Sequence, residues 1–404
     1  MAKDLKKTEQ KVLDVYTRVN PSERPIEHDQ ELFQDMRRMR EDLFFYKLHL
    51  PKKVFQDATL VSFGCGTGEY ELFYALWGCR EITTIDMNPI SIKRLEGLFR
   101  NFEMDHALKK TYAQSYFDVD LGEEKFDFVV ADGTVVHTED PIGALDKFLG
   151  HLEEDGFTVI SFAELSGMLQ RNIQRLILYH LAGENEELLV DYSEQLFEEH
   201  ITRSVKFGKR TRAQIIYDTY INPKIKTPTI QDVLGIFKKH SISFYSSYPS
   251  IAVPFFTSSF RVERSRLEDP SFHHMILLNQ LAWMMAAEED IEVSQDIFSQ
   301  WRIGFPHFSR FLGHLYDISS NDDHIERFEA ALVELAYLAE EDMSLPVQFF
   351  VNTRCKEFYQ DLESLMTALK NKDLAELKKL TFHRLFKGTC GVGNMYIIGR
   401  KGQS

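Results

Sequence analysis

A change of hydrophobic period at residue 64 constrains this chain more than its composition does. Thr59-Leu-Val-Ser-Phe63 is a short apolar run that passes straight into Gly64-Cys-Gly-Thr-Gly68, and Glu69 to Trp77 then takes up helical spacing. Glu81-Ile-Thr-Thr-Ile85 is a second strand, stopped by Asp86 and followed by a helix that opens near Pro89, a favoured first-turn residue. Thr111 to Ser115, Phe126 to Ala131 and Phe157 to Phe162 read as three more strands, with Asp140 and Pro141 opening the helix before the last of them. Strands alternating with helices of this length require crossover connections and therefore a parallel sheet. The first 165 residues are expected to form a doubly wound α/β domain.

The flanks have a different character. Residues 1–27 are polar and read as a helical arm followed by a loop, and Leu32, Phe33, Met36, Met39, Leu43 and Phe44 predict one helix over 28–50, ended by Pro51. Residues 165–240 look mostly helical with a break at Asn222-Pro223, and a further strand is expected at Ile242 to Tyr248. From about Ser271 to Phe386 helical spacing is nearly continuous, as in Ile325, Phe328, Leu332, Leu335 and Leu338. The tail at Met395 to Ile398 is a lone strand, and a lone strand needs a sheet to join.

Composition removes several classes of function. With 404 residues and 44% hydrophobic content the chain can bury a large core, and 47 basic against 62 acidic residues give a net charge of -15. That average surface repels phosphate backbones, so nucleic acid is disfavoured as a partner. The four cysteines, Cys65, Cys79, Cys355 and Cys390, have neither zinc-site spacing nor the density of a disulfide scaffold, and a reduced, cytoplasmic setting is expected. The N-terminus is charged from its third residue, and no segment approaches the ~20 apolar residues of a membrane span, so no membrane partner is expected. His273-His274 and the pair His307 and His314 lack a complete ligand set, so no metal is expected. The run Arg203 to Arg212 holds five basic residues in ten positions; a solvated helical face is the simpler reading, a dock for phosphate, carboxylate or RNA the sharper one.

The glycine turn carries the chemistry. Glycines allow a sharp bend and let a ligand approach the backbone, while Asp86, 22 positions after Gly64, can accept hydrogen bonds from two ribose hydroxyls. Together they point to an adenosine-type cofactor. A dinucleotide fingerprint spaces its glycines as G-x-G-x-x-G and rests a pyrophosphate on the helix N-terminus. Here the third glycine comes one position early and Glu69 stands where the helix begins. A carboxylate there repels pyrophosphate and suits an ammonium and a sulfonium, which favours S-adenosylmethionine (SAM) over NAD.

Leu60-Val-Ser-Phe-Gly-Cys-Gly-Thr-Gly-Glu69, Ile85-Asp-Met-Asn-Pro89, Phe126-Asp-Phe-Val-Val-Ala-Asp-Gly-Thr-Val-Val-His137, Glu139-Asp-Pro141 and Gly156-Phe-Thr-Val-Ile160 together resemble class I SAM-dependent methyltransferases. The likeness is to the branch that methylates small molecules or protein side chains, and it covers roughly residues 40–250. It implies that Gly64, Cys65, Gly66, Gly68 and Glu69 form the loop around the methionine part of the cofactor. Asp86 would then hold the ribose, Met87 would pack on the adenine, and Gln114 would stand where the family often has an aspartate. Asp132 and His137 would line the methyl-transfer site as catalytic residues, with Asp132 also near the cofactor and His137 as a general base. One departure stands out: Ser62 occupies the position, two before the first glycine, where the family usually has an acid, and Glu69 is the candidate to supply the missing charge.

The resemblance also implies a seven-stranded sheet whose last strand is antiparallel and inserted beside the fifth. Asn394 to Gly399 is expected to supply it, with Ile242 to Tyr248 as the sixth. The organisation expected is a helical arm (1–50), a SAM-binding domain (51–260), an all-α cap or oligomerisation module (261–387) and a returning strand (388–404). The function implied is methyl transfer to an oxygen or nitrogen of a small molecule or protein side chain. Competing readings are a SAM-binding regulatory protein without catalysis, in which Ser62 marks the loss, and more remotely an NAD-dependent oxidoreductase.

Overall fold

In a computed structural model of the chain, residues 2–21, 23–164, 167–248, 250–251, 304–340, 346–381 and 394–402 are described. In chain order the helices and strands are α1 (Ala2–Arg18), α2 (Gln30–Glu41), β1 (Thr59–Phe63), α3 (Glu69–Trp77), β2 (Glu81–Asp86), α4 (Pro89–Asn101), β3 (Leu108–Ala113), β4 (Phe126–Asp132), α5 (Pro141–Leu149) and β5 (Leu152–Phe162). They continue with α6 (Leu169–Ala182), α7 (Glu186–Leu196), α8 (Glu198–Gly208), α9 (Arg212–Ile216), α10 (Ile230–Lys239), β6 (Ile242–Tyr248), α11 (Gly304–His314), α12 (His324–Glu340), α13 (Pro346–Lys370), α14 (Leu374–Leu380) and β7 (Met395–Lys401). His273, His274, Cys390 and much of the expected 261–387 block lie outside the described residues.

The seven strands form one sheet in the order β3-β2-β1-β4-β5-β7-β6. β1 pairs in parallel with β2 and with β4, so Leu60 has Ile82 on one side and Phe128 on the other. β7 runs antiparallel to both neighbours, with Ile398 opposite Val159 of β5 and Ser246 of β6. The tail therefore returns to the sheet as its sequence required. The strand order reverses between β1 and β4, and the carboxyl ends of two strands at such a switch point form a crevice where ligands bind. The turn after β1 and the end of β4 thus face the same opening.

Local chemistry explains the element ends. Asp29, Asn88 and Asp140 cap α2, α4 and α5 through their side chains, and Pro89 and Pro141 take the first helical turns. Three elements differ from the sequence expectation. The helix expected over 28–50 is instead α2 followed by a π-helical turn at Asp42–Lys47, in which Leu48 N–H reaches the Leu43 carbonyl at 2.8 Å. β3 starts three residues before the expected Thr111, because as an edge strand it is largely exposed and carries no apolar run. β5 starts at Leu152, where Glu153-Glu-Asp hides it; Asp155 has φ +62° and the register against β4 shifts between Phe126 and Phe128, as at a bulge.

The chain divides into two compact units, one of residues 1–162, 223–250 and 394–404, the other of 163–222 and 251–393. The first holds the sheet. Its core includes an aromatic knot in which Phe55 stacks on Phe128 at 4.6 Å and packs against Trp77 at 5.1 Å, with Phe44 and Tyr74 alongside. The second is helical. Leu176 and Ile177 of α6, Phe311 of α11, Leu335 of α12 and Leu362 of α13 are fully buried in a core of their own. Each such side chain contributes about 1.5–3 kcal/mol by leaving water, so either unit has the means to be stable.

Candidate functional site

The turn between β1 and α3 is built by three glycines with left-handed backbones, Gly64 (φ +73°), Gly66 (φ +54°) and Gly68 (φ +86°). A side chain at Gly64 would collide with Thr134, and one at Gly68 with Leu95, so both positions need glycine for space as well as for φ. The turn is clamped to β2. Gly64 N–H donates to the Ile85 carbonyl at 2.7 Å, and Gly66 N–H donates to Asp86 Oδ2 at 2.9 Å. Asn88 N–H donates to Asp86 Oδ1 at 2.8 Å. Burial raises the Asp86 carboxyl above its ordinary range, and these two backbone donors pull the other way. Each oxygen keeps a lone pair for a ligand hydroxyl.

The opposite wall is the end of β4. Asp132 is buried, and both of its oxygens are engaged: Oδ2 accepts from Arg40 at 2.7 Å, and Oδ1 accepts from Ser161 at 2.5 Å and Tyr396 at 3.0 Å. Arg40 also donates to the Tyr74 hydroxyl at 3.0 Å and lies over the Tyr70 ring at 4.1 Å. Just beyond, His137 sits between two partners. Its Nδ1 is 3.0 Å from the Lys224 carbonyl, which can only accept, so Nδ1 carries the proton. Its Nε2 is 3.2 Å from the Tyr16 hydroxyl, which donates to it when the ring is neutral.

The third wall comes from α1. Glu9, Val12 and Tyr16, at helical spacing of three and four, share one face and line the same cavity. Thr8 donates to Glu139 at 2.7 Å, Ser115 donates to Glu9, Lys6 pairs with Asp118, and Tyr16 meets His137, and together these contacts seat the helix. The cavity opens to solvent and is lined also by Gly64, Gly66, Asp86, Met87, Asn88, Ser115, Tyr116, Asp132, Gly133, Thr134 and His137.

Of the residues expected from sequence, Gly64, Gly66, Asp86, Met87, Asp132 and His137 meet around this cavity. Cys65, Gly68, Glu69 and Gln114 are not among its lining. Cys65 is buried beneath the turn, and burial, then the nearby Asp86 charge, pushes its thiol well above the usual range. Gln114 is exposed after β3, and its neighbours Ser115 and Tyr116 reach the cavity instead. Glu69 turns away, accepting from the Arg24 backbone at 2.9 Å and from Thr67 at 2.5 Å. It is Glu71, not Glu69, that answers Ser62: the Ser62 hydroxyl donates to Glu71 Oε1 at 2.7 Å, with the Glu71 side chain fully buried. Burial raises the Glu71 carboxyl to about 8.

Glu9, Val12, Tyr16 and Arg40 were not expected from sequence reasoning. The α1 trio reads as an ordinary amphipathic stripe, and Arg40 is one of four arginines between 37 and 80, distinguished only by being buried.

Residues 30–203 match a family of proteins described as a methyltransferase domain. Over that stretch, and in its strand order, the chain resembles class I SAM-dependent methyltransferases. The groups around the cavity suit S-adenosyl-L-methionine: a glycine cradle that a Cβ would fill, and carboxylates at Asp86 and Glu9. Solved structures are similar at low identity. PKMT2 from Rickettsia typhi is 16% identical, with 56% of this chain and 46% of that one covered and a TM-score of 0.41. Magnesium protoporphyrin IX methyltransferase from Synechocystis is 10% identical, with 55% and 72% covered and a TM-score of 0.31. Geranyl diphosphate C-methyltransferase from Streptomyces coelicolor is 10% identical, with 48% and 56% covered and a TM-score of 0.32. The domain assignment rests on the family match and the strand order, not on these likenesses. No curated protein matches the chain. Among the described residues no group of His, Cys, Asp or Glu is arranged to hold a metal ion, and no helix is long and apolar enough to cross a membrane.

Proposed function

We propose that this chain transfers a methyl group from SAM to an oxygen or nitrogen atom of a small molecule or protein side chain, in a reduced compartment such as the cytoplasm. SAM supplies an activated methyl group: the new bond forms to the acceptor, and the electrons of the broken C–S bond stay on sulfur. The protein's task is then to align the acceptor, exclude water and remove one proton.

His137 is the observation that carries this reading, because it lines the cavity with Nδ1–H committed to the Lys224 carbonyl. Nε2 is left as the basic nitrogen, and the carbonyl steadies the imidazolium once the acceptor proton has arrived. Tyr16 occupies Nε2 until an acceptor hydroxyl or ammonium takes its place. Asp132 we assign to holding the end of β4, since Arg40, Ser161 and Tyr396 already claim its lone pairs. Asp86 is assigned to the ribose and Met87 to the adenine. The Ser62–Glu71 pair restores a carboxyl group beneath the turn, which weighs against the non-catalytic reading.

The test is transfer of labelled methyl from SAM to a fractionated cell extract. His137→Gln is expected to bind SAM normally and transfer no label, and Asp86→Ala to lose both. Tight SAM binding by the wild-type chain with no label on any acceptor would return the regulatory reading to first place.

A further inference from the structure

Helix α1 lines the cavity at Glu9, Val12 and Tyr16, and its contacts run from one strand end to another. Glu9 accepts from Ser115, which follows the end of β3, and Tyr16 meets His137, which follows the end of β4. A helix rises about 10 Å between those two positions. In the sheet, β3 and β4 lie on opposite sides of the β2–β1 pair. Glu9 therefore stands at the β3 side of the cavity and Tyr16 at the β4 side.

The carboxylate of Glu9 is held in place with acceptor capacity to spare. Glu9 is only 9% exposed, yet it lines the cavity. The Ser115 hydroxyl accepts from Phe117 N–H at 3.2 Å, which leaves its own proton for Glu9 Oε1. Lys6 stands 3.6 Å from Oε2, a loose ion pair, and donates its hydrogen bond to Asp118. An ionised carboxylate has about four lone-pair sites, so room remains for a donor from the cavity. Val12, Met87 and Tyr116 give the same cavity apolar surface suited to the faces of a flat base, whereas Gln114 is exposed and does not line it.

We infer that Glu9 reads the 6-amino group of the cofactor's adenine and makes the site selective for a 6-aminopurine nucleoside. This rests on the SAM reading of the cavity and follows from the direction in which SAM must lie. The ribose is assigned to Asp86, at the end of β2. The sulfonium chain leaves the ribose towards His137, where the methyl group is delivered, so the base leaves it the other way, towards Ser115 and Glu9. An amino group presents N–H donors to a carboxylate that can only accept. A 6-oxo purine presents a carbonyl oxygen there, which the carboxylate opposes, and a buried polar site discriminates strongly against a ligand that leaves it unpaired. The ammonium of the methionine part lies with the chain, on the far side of the ribose from Glu9.

The experiment titrates the full chain in a calorimeter with S-adenosyl-L-homocysteine and with S-inosyl-L-homocysteine, which differ at the 6 position. The wild type is expected to prefer the adenosyl compound by about a hundredfold. In Glu9→Gln the amide can accept from an amino group or donate to a carbonyl, so the preference is expected to fall by about tenfold or more, with the inosyl compound binding tighter than it does to the wild type. Ser115→Ala, which frees the carboxylate without removing it, is expected to fall between and carries the test alone if Glu9→Gln does not fold. Asp86→Ala is expected to weaken both compounds and keep their ratio. An adenosyl preference that is absent in the wild type, or unchanged in Glu9→Gln and Ser115→Ala, overturns the assignment of Glu9 and leaves the SAM reading standing. Wild-type protein that binds neither compound overturns both.

Discussion

Each unit buries an arginine that its own helix did not advertise, and the two are treated in opposite ways. In the sheet unit Arg40 is ringed by Asp132, Tyr74, Tyr396 and Tyr70, so that one guanidinium is met by one carboxylate and two hydroxyls, while its Nε has no hydrogen-bond partner. In the helical unit Arg175 donates to a carbonyl and a hydroxyl and Arg171 to a thioether, with the Asp218 charge acting on Arg171. The first arrangement fixes geometry through a buried ion pair. The second holds its cations mainly through neutral acceptors.

The sharpest way to break the comparison is to remove each arginine in turn. Arg40→Ala strands the buried Asp132 carboxylate, and losing one partner of a buried pair costs about 3–5 kcal/mol. Urea denaturation should show that loss, whereas Arg171→Met, which removes a half-buried guanidinium whose hydrogen bond is to a thioether, should cost less. Equal losses in the two variants would erase the distinction.

Within the sheet unit, Asp86 differs from Asp132 in having backbone donors as partners and lone pairs to spare. Asp86→Ala therefore removes ligand contacts and not an internal ion pair. Two hydrogen bonds from ribose hydroxyls to a charged acceptor are worth about 1.5–3 kcal/mol each before compensation, so SAM affinity should fall by about a hundredfold in calorimetry. A loss below threefold would move the ribose elsewhere.

Glu71 offers a smaller, pH-dependent effect. Its folded carboxyl titrates near about 8 because of burial, against an ordinary value of 4.5 when unfolded. Between those values the folded state holds the proton and the unfolded state does not, so stability falls as pH rises through that window. Glu71→Gln keeps the acceptor for Ser62 and removes the titration. Its urea midpoint should match wild type near about pH 5 and exceed it near about pH 8, by on the order of 2 kcal/mol. Parallel wild-type and variant profiles would mean that Glu71 is ionised throughout.

What was legible in the sequence follows from this contrast. The glycine turn, Asp86 and the returning β7 could be read because local rules demand them: left-handed backbone, an acid one strand over, a strand without a partner. Arg40, Tyr16 and the Glu71–Ser62 pair could not, because each owes its role to residues distant in the chain, as Tyr16 does to His137 and Arg40 to Asp132 and Tyr396. Gln114 shows the same limit from the other side, since a two-residue difference in where β3 ends hands its place to Ser115 and Tyr116.

The smallest expected effect tests whether α1 belongs to the reaction or only shelters it. Tyr16 donates to His137 Nε2 at 3.2 Å and lines the SAM cavity, so Tyr16→Phe keeps the ring and its edge contact with the imidazole, 5.7 Å between centroids, while removing the hydroxyl. A neutral hydrogen bond contributes about 0.5–1.5 kcal/mol, which corresponds to a change in kcat/KM of roughly twofold to tenfold. If the hydroxyl holds the base in place until the acceptor arrives, kcat/KM falls and SAM affinity stays constant. If α1 serves only as a cover, Tyr16→Phe leaves kcat/KM where it was, and disruption of the Thr8–Glu139 contact by Thr8→Val changes SAM dissociation without touching it.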